Sequence, residues 1–179
     1  STNIVLSSVH NEKTGHDYYL DNMTVKGCDF LNDFGDAPAS YGIAHHVGPL
    51  IPNLRLGASI DEETASQYST NSDGDDNTGR DDEDGITHLP ALQETDRVYR
   101  VTSNVTNLSG TAATLIGWID FNKSGTFDPD EAAIRQIANG TNSANLTLQW
   151  SNIPLDSQAG NTHLRLRLTS KGLSNSEPS

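Results

Sequence analysis

The stretch Ala113-Thr114-Leu115-Ile116-Gly117-Trp118-Ile119-Asp120-Phe121 turns abruptly from apolar to polar in Asn122-Lys123-Ser124-Gly125-Thr126-Phe127-Asp128-Pro129-Asp130-Glu131. Side chains alternate across a strand, so Leu115, Ile119 and Phe121 share one face and Ile116 and Trp118 the other. Both faces are apolar, which predicts a central strand covered on two sides.

Working outward, residues 98–105, 132–137, 146–150 and 163–170 are further short β-prone runs divided by turn residues. In the last of them Leu164, Leu166 and Leu168 alternate with Arg165, Arg167 and Thr169, the period of a strand with one buried face. Toward the start, residues 4–9 and 18–25 flank Asn11-Glu12-Lys13-Thr14-Gly15 and read as a hairpin. Residues 29–48 and 61–85 read as long loops, and residues 130–136 as room for one helical turn at most. The economical fold is all-β, an antiparallel β-sandwich with long loops. Residues 1–27 form an N-terminal hairpin packed on, or adding strands to, a sandwich over 28–179.

Composition narrows the function. Of 179 residues, 24 are Asp or Glu and 11 Lys or Arg, a net charge of −13, while Leu, Ile, Val and Phe fill 38 positions, about 21%. The core is lean, and no apolar run approaches the roughly 18 residues that span a bilayer. The charge repels phosphate backbones and anionic headgroups, so nucleic acid and membrane are poor partners and cations good ones. The single cysteine excludes an intrachain disulfide and a paired-cysteine zinc site. The start lacks a basic segment followed by an apolar run, which leads us to expect a piece of a longer exported protein.

Between residues 61 and 84 ten acids face only Arg80: Asp61, Glu62, Glu63, Asp73, Asp75, Asp76, Asp81, Asp82, Glu83 and Asp84. Two carboxylates about 4 Å apart repel by roughly 4 kcal/mol at an effective dielectric near 20, so a folded cluster needs protons or metal. Calcium takes six to eight oxygen ligands and tolerates irregular loops. The competing reading is a solvated acidic linker.

Residues 120–131 carry a sharper signal. Asp120, Asn122, Ser124, Asp128 and Glu131 stand at positions 1, 3, 5, 9 and 12 of an EF-hand register, with Thr126 at 7 and Gly125 at the bend. A strand feeds this loop in place of a helix, so it reads as an EF-hand-like calcium loop on a β scaffold, with a polar β-turn as the alternative. A weaker cluster is Asp29, Asn32, Asp33 and Asp36, where Asp33 and Asp36 flank Gly35.

Asp33-Phe34-Gly35-Asp36-Ala37-Pro38 with Ser40-Tyr41-Gly42, then Leu56-Gly57 with Asp61 and Glu63, then Asp81-Asp82-Glu83-Asp84-Gly85-Ile86, then Gly117-Trp118-Ile119-Asp120-Phe121-Asn122 resemble the ordered motifs of the GEVED-type domain. The Leu164-Arg165-Leu166-Arg167 run is similar to the family's late strand, and the likeness covers roughly residues 33–178. The acidic signature that names the family would follow shortly after Ser179. Such domains occur in large secreted and surface proteins of bacteria. More narrowly, the chain resembles the peptide-binding domain of repeats-in-toxin (RTX) adhesins. That resemblance implies several calcium ions, one of which keeps an open position for the carboxylate of a peptide or protein C-terminus on a host or neighbouring cell. The open calcium is assigned to Asp81, Asp82 and Asp84 with Asp33 and Asp36, and Trp150 to the ligand platform. The other expected metal ligands are Asp61, Glu63, Asp73, Asp75, Asp76, Glu83, Asp120, Asn122, Ser124, Thr126, Asp128 and Glu131.

No Gly-x-Ser-x-Gly, His-Glu-x-x-His or phosphate-binding glycine loop is present, and aromatics at 6% are too few for a glycosidase cleft. The adjacent His45 and His46 would face opposite sides of a strand and could not share one metal. The expectation is therefore a non-enzymatic, monomeric, calcium-dependent adhesin module on the bacterial cell surface, serving attachment and biofilm. A calcium-rigidified spacer and a glycan-binding accessory module are the competing classes.

Overall fold

The computed structural model describes residues 30–49, 53–60, 63–72, 85–93, 95–155, 157–158 and 160–179. In chain order the strands are β1 (Phe30–Phe34), β2 (His45–Pro49), β3 (Leu54–Leu56), β4 (Ile86–His88), β5 (Tyr99–Asn107), β6 (Ala113–Ile119), β7 (Ala132–Ile137), β8 (Thr141–Trp150) and β9 (Leu164–Thr169). Short 3-10 turns at Ala39–Tyr41 and Pro129–Glu131 are the helical elements among the described residues. All pairings are antiparallel. The expected N-terminal hairpin lies outside the described residues.

The decisive stretch forms β6, the centre of a three-stranded sheet ordered β7-β6-β9. As its alternation predicts, both faces are buried: Leu115 and Ile119 join the main core, and Ile116 and Trp118 a second one. A second sheet pairs β8 along nearly all of β5, which leaves the other edge of β5 to β3 and β4. Tyr99, Val101 and Val105 of β5 and Leu148 and Trp150 of β8 meet Leu115, Ala133, Ile137 and Leu168 in the main core, giving a sandwich-like packing. Gly117 is required by that contact, because a Cβ there would lie 2.7 Å from Cδ2 of both Leu148 and Leu166 and 2.9 Å from Cζ2 of Trp150.

The outer face of the three-stranded sheet is covered as well. Ala37, Tyr41 and Phe127 pack on Ile116 and Trp118, joined by Leu173 of the C-terminal tail. The Trp118 indole N–H donates to the Asn175 carbonyl at 2.8 Å and fixes that tail. Arg165, opposite Trp118 in the ladder, is thus buried at 6% exposure where a solvent-facing residue was expected.

Two expectations about loops need correction. Residues 29–48 contain β1 and β2, paired from Phe30↔Pro49 to Phe34↔His45, with the Phe34 and His45 rings stacked at 4.2 Å. The two neighbouring segments satisfy each other's backbone here, through residues whose Asp, Gly and Pro content reads locally as turn. β8 also begins at Thr141, five residues before the apolar run that signals it, because β5 supplies a partner for the polar Asn and Thr backbone.

Candidate functional site

The polar half of the opening stretch folds back so that its first and last carboxylates are both buried, Asp120 at 0% and Glu131 at 1% exposure. Lys123 and Gly125 take left-handed backbone conformations, φ 57° and 82°, which make the bend. Asp120 Oδ1 accepts the Ser124 N–H at 3.0 Å, and Oδ2 accepts the Gly125 N–H at 2.9 Å and the Tyr41 hydroxyl at 2.7 Å. Glu131 Oε1 accepts the N–H groups of Phe121 at 2.8 Å and Asn122 at 3.4 Å, and Oε2 that of Asp128 at 3.1 Å. The loop closes through its own backbone donors.

Outer contacts hold this closure. Trp150 donates its indole N–H to the Glu131 carbonyl at 2.8 Å, Gln158 donates its N–H to the Phe121 carbonyl at 2.9 Å, and the Thr162 hydroxyl donates to the Asp120 carbonyl. Burial pushes the Glu131 carboxyl up, the Asp120 charge adds to that, and the backbone N–H groups pull the other way. The Tyr41 phenol is pushed up by burial first, then by its bond to Asp120, and so remains a donor.

The donor set suits a hard cation. Asp120, Asn122, Ser124 and Glu131 offer oxygens, the chemistry calcium selects. Asn122 Oδ1 accepts the Ser124 N–H at 2.8 Å, and the Ser124 and Thr126 hydroxyls pair at 2.9 Å. The Asp128 backbone closes the Pro129–Glu131 turn, its N–H donating to Glu131 Oε2 and its carbonyl accepting the Glu131 N–H, both at 3.1 Å. Among the described residues no group of three or more His, Cys, Asp or Glu side chains is arranged to hold a metal ion, so the loop offers two carboxylates with neutral oxygens rather than an all-acid cage.

A second feature is a cavity of about 960 Å³ bounded by β1, β2, β3 and β9. Asp33, Asp36 and Glu63 line it together with Arg165, Arg167 and Lys171. Three members of the expected acidic set thus line one cavity, and Glu63 is engaged there: its Oε2 accepts the Phe34 N–H at 2.6 Å. Asp61, Asp73, Asp75, Asp76, Asp81, Asp82, Glu83 and Asp84 lie outside the described residues. Trp150, assigned to the ligand platform from the sequence, is a core residue at 3% exposure with its N–H engaged.

Sequence reasoning gave no site role to Tyr41, Arg165 or His46. Arg165 donates to the carbonyls of Tyr41 at 2.7 Å and of Gly42 and Pro178 at 3.0 Å, and lies 5.1 Å over the Phe127 ring. Burial, with Arg167 nearby, lowers its pKa to about 10, so it stays charged at neutral pH. His45 and His46 do part as expected on a strand: His45 bonds Asn32, and His46 Nε2 accepts from Arg167 Nε at 3.2 Å. The available cue was the arginine pair alternating with leucines, read as a solvated face because a local pattern does not show what covers it.

No curated protein and no solved structure matches the chain. Residues 114–179, running from β6 through the 120–131 loop to the tail beyond β9, match the GEVED domain, the family whose motifs the sequence resembles.

Proposed function

We propose that this chain is a calcium-dependent ligand-binding module of a large extracellular bacterial adhesin, taking peptide or protein C-termini and serving cell attachment. The observation that carries the calcium reading is the pair Asp120 and Glu131, two buried carboxylates at the ends of one twelve-residue loop, each with three hydrogen-bond donors. An ionised carboxylate has about four acceptor sites, so each retains capacity for a cation. Calcium would be held by these two with Asn122 and Ser124, and would supply positive charge where two anions are buried together. GEVED domains occur in extracellular bacterial surface proteins, which supports the setting.

For the ligand, the cavity beside β9 supports the reading, since Asp33 and Asp36 of the assigned ligand-receiving set line it and Arg167 and Lys171 offer positive charge to a carboxylate. A spacer role is the second reading, favoured by the extent to which the loop oxygens are already satisfied by loop backbone. The deciding experiment is thermal unfolding with calcium and with chelator, followed by binding of peptides with free or amidated C-termini and of a glycan panel. A melting temperature raised by calcium supports the metal, through its preferential binding to the folded state. Selective, calcium-dependent binding of free C-termini supports the module, and calcium stabilisation without any ligand supports the spacer.

A further inference from the structure

Tyr41 is 79 residues from Asp120 in the chain, yet their side chains meet at 2.7 Å. Its position is fixed from several directions. The ring packs against Phe127 at 4.6 Å and His163 at 4.9 Å between centroids. Its carbonyl accepts from Arg165 at 2.7 Å and from the Ser179 hydroxyl at 3.3 Å. With only 8% of its surface exposed, the residue has little room to swing its hydroxyl elsewhere.

That hydroxyl acts unequally on the two Asp120 oxygens. Oδ2 receives two donors, the Tyr41 O–H and the Gly125 N–H, whereas Oδ1 receives one from among the described residues, the Ser124 N–H. Two donors fill the acceptor capacity of one carboxylate oxygen. We propose that Tyr41 is a positioning residue for cation binding: by saturating Oδ2 it commits Oδ1 of Asp120 to the metal and fixes the carboxylate plane. This rests on the calcium reading of the 120–131 loop. It also ties that loop to the segment joining β1 and β2, because the Ala39–Tyr41 turn lies in that connection. Partners behind a metal ligand typically change affinity by about 10–100-fold when removed.

The test is calcium titration by calorimetry, with thermal unfolding in chelator and at saturating calcium, on the wild type and Tyr41→Phe. Phenylalanine keeps the ring contacts and removes only the donor. The expected result is about ten-fold or greater weakening of calcium binding, together with a calcium-induced rise in melting temperature smaller than that of the wild type. A purely structural hydroxyl would lower both melting curves equally and leave affinity within two-fold, which overturns the proposal. If the variant folds only with metal, the calcium concentration at half-maximal folding gives the same readout: the wild-type value overturns the proposal and a ten-fold higher one supports it. Wild-type protein that takes up no calcium overturns the loop reading itself, and the proposal with it.

Discussion

The indole N–H of Trp150, at the end of β8, donates to the carbonyl of Glu131, where the 120–131 loop rejoins β7, over 2.8 Å. One buried hydrogen bond thus joins the two facing sheets at the point where the loop is closed. Trp150→Phe keeps an aromatic ring and leaves that carbonyl unsatisfied, a loss of about 1–3 kcal/mol. Urea unfolding should show this reduction, while binding per folded molecule stays intact if Trp150 is a packing residue. Loss of binding with unchanged stability would restore it to the ligand site.

Glu131→Gln addresses the loop itself. The carboxylate accepts from three backbone N–H groups across both oxygens. A carboxamide has one oxygen to accept with and turns an NH2 group toward donors, so we expect a loss of about 2–3 kcal/mol without metal. The variant should also lose most of the calcium-induced rise in melting temperature. Retention of the full rise would show that calcium is held elsewhere in the chain.

Gly117→Ala tests the sandwich contact. A methyl group there meets two leucine termini and the Trp150 ring within 3 Å, so either the side chains shift or the sheets separate. Overpacking of this kind costs about 1–3 kcal/mol. A melting temperature equal to the wild type would mean that the two sheets are less closely apposed than described.

Where strands have a local hydrophobic pattern, the sequence sufficed: β6 and β7 begin where the apolar runs begin, and two-sided burial of β6 follows from Ile116 and Trp118. β1, β2, β3 and β4 escaped notice because they are short, with Asp, Asn, Gly, Pro and His in β1 and β2, and their ladders, β1 with β2 and β3 and β4 with β5, leave no local apolar alternation. In the site, the register from Asp120 to Glu131 was readable since turn chemistry is local. The Tyr41 contact was not, because a hydrogen bond spanning 79 positions leaves no periodic trace. Asp128 adds a contact that the register did not show: its backbone N–H and carbonyl both bond Glu131 and close the turn that follows.

His46 makes the fold sensitive to acid. Its Nε2 accepts from Arg167 Nε at 3.2 Å, so a proton on that nitrogen would break the bond and face a guanidinium. Burial first, then Arg167 and His45, lowers its pKa from 6.5 to about 4. The unfolded chain therefore takes up a proton that the folded one refuses, and stability is lost as pH falls from 6.5 toward 4. His163 is also lowered, chiefly by burial, and acts in the same direction, whereas Glu131, held up by burial, acts in the other. His46→Gln keeps an acceptor for Arg167 and removes the titration. Between neutral pH and about pH 4.5 the wild type should lose about 1–2 kcal/mol more than this variant, measured as urea midpoints in chelator so that proton competition for bound metal does not enter. Parallel losses in both proteins would show that the acid sensitivity does not come from the His46–Arg167 contact.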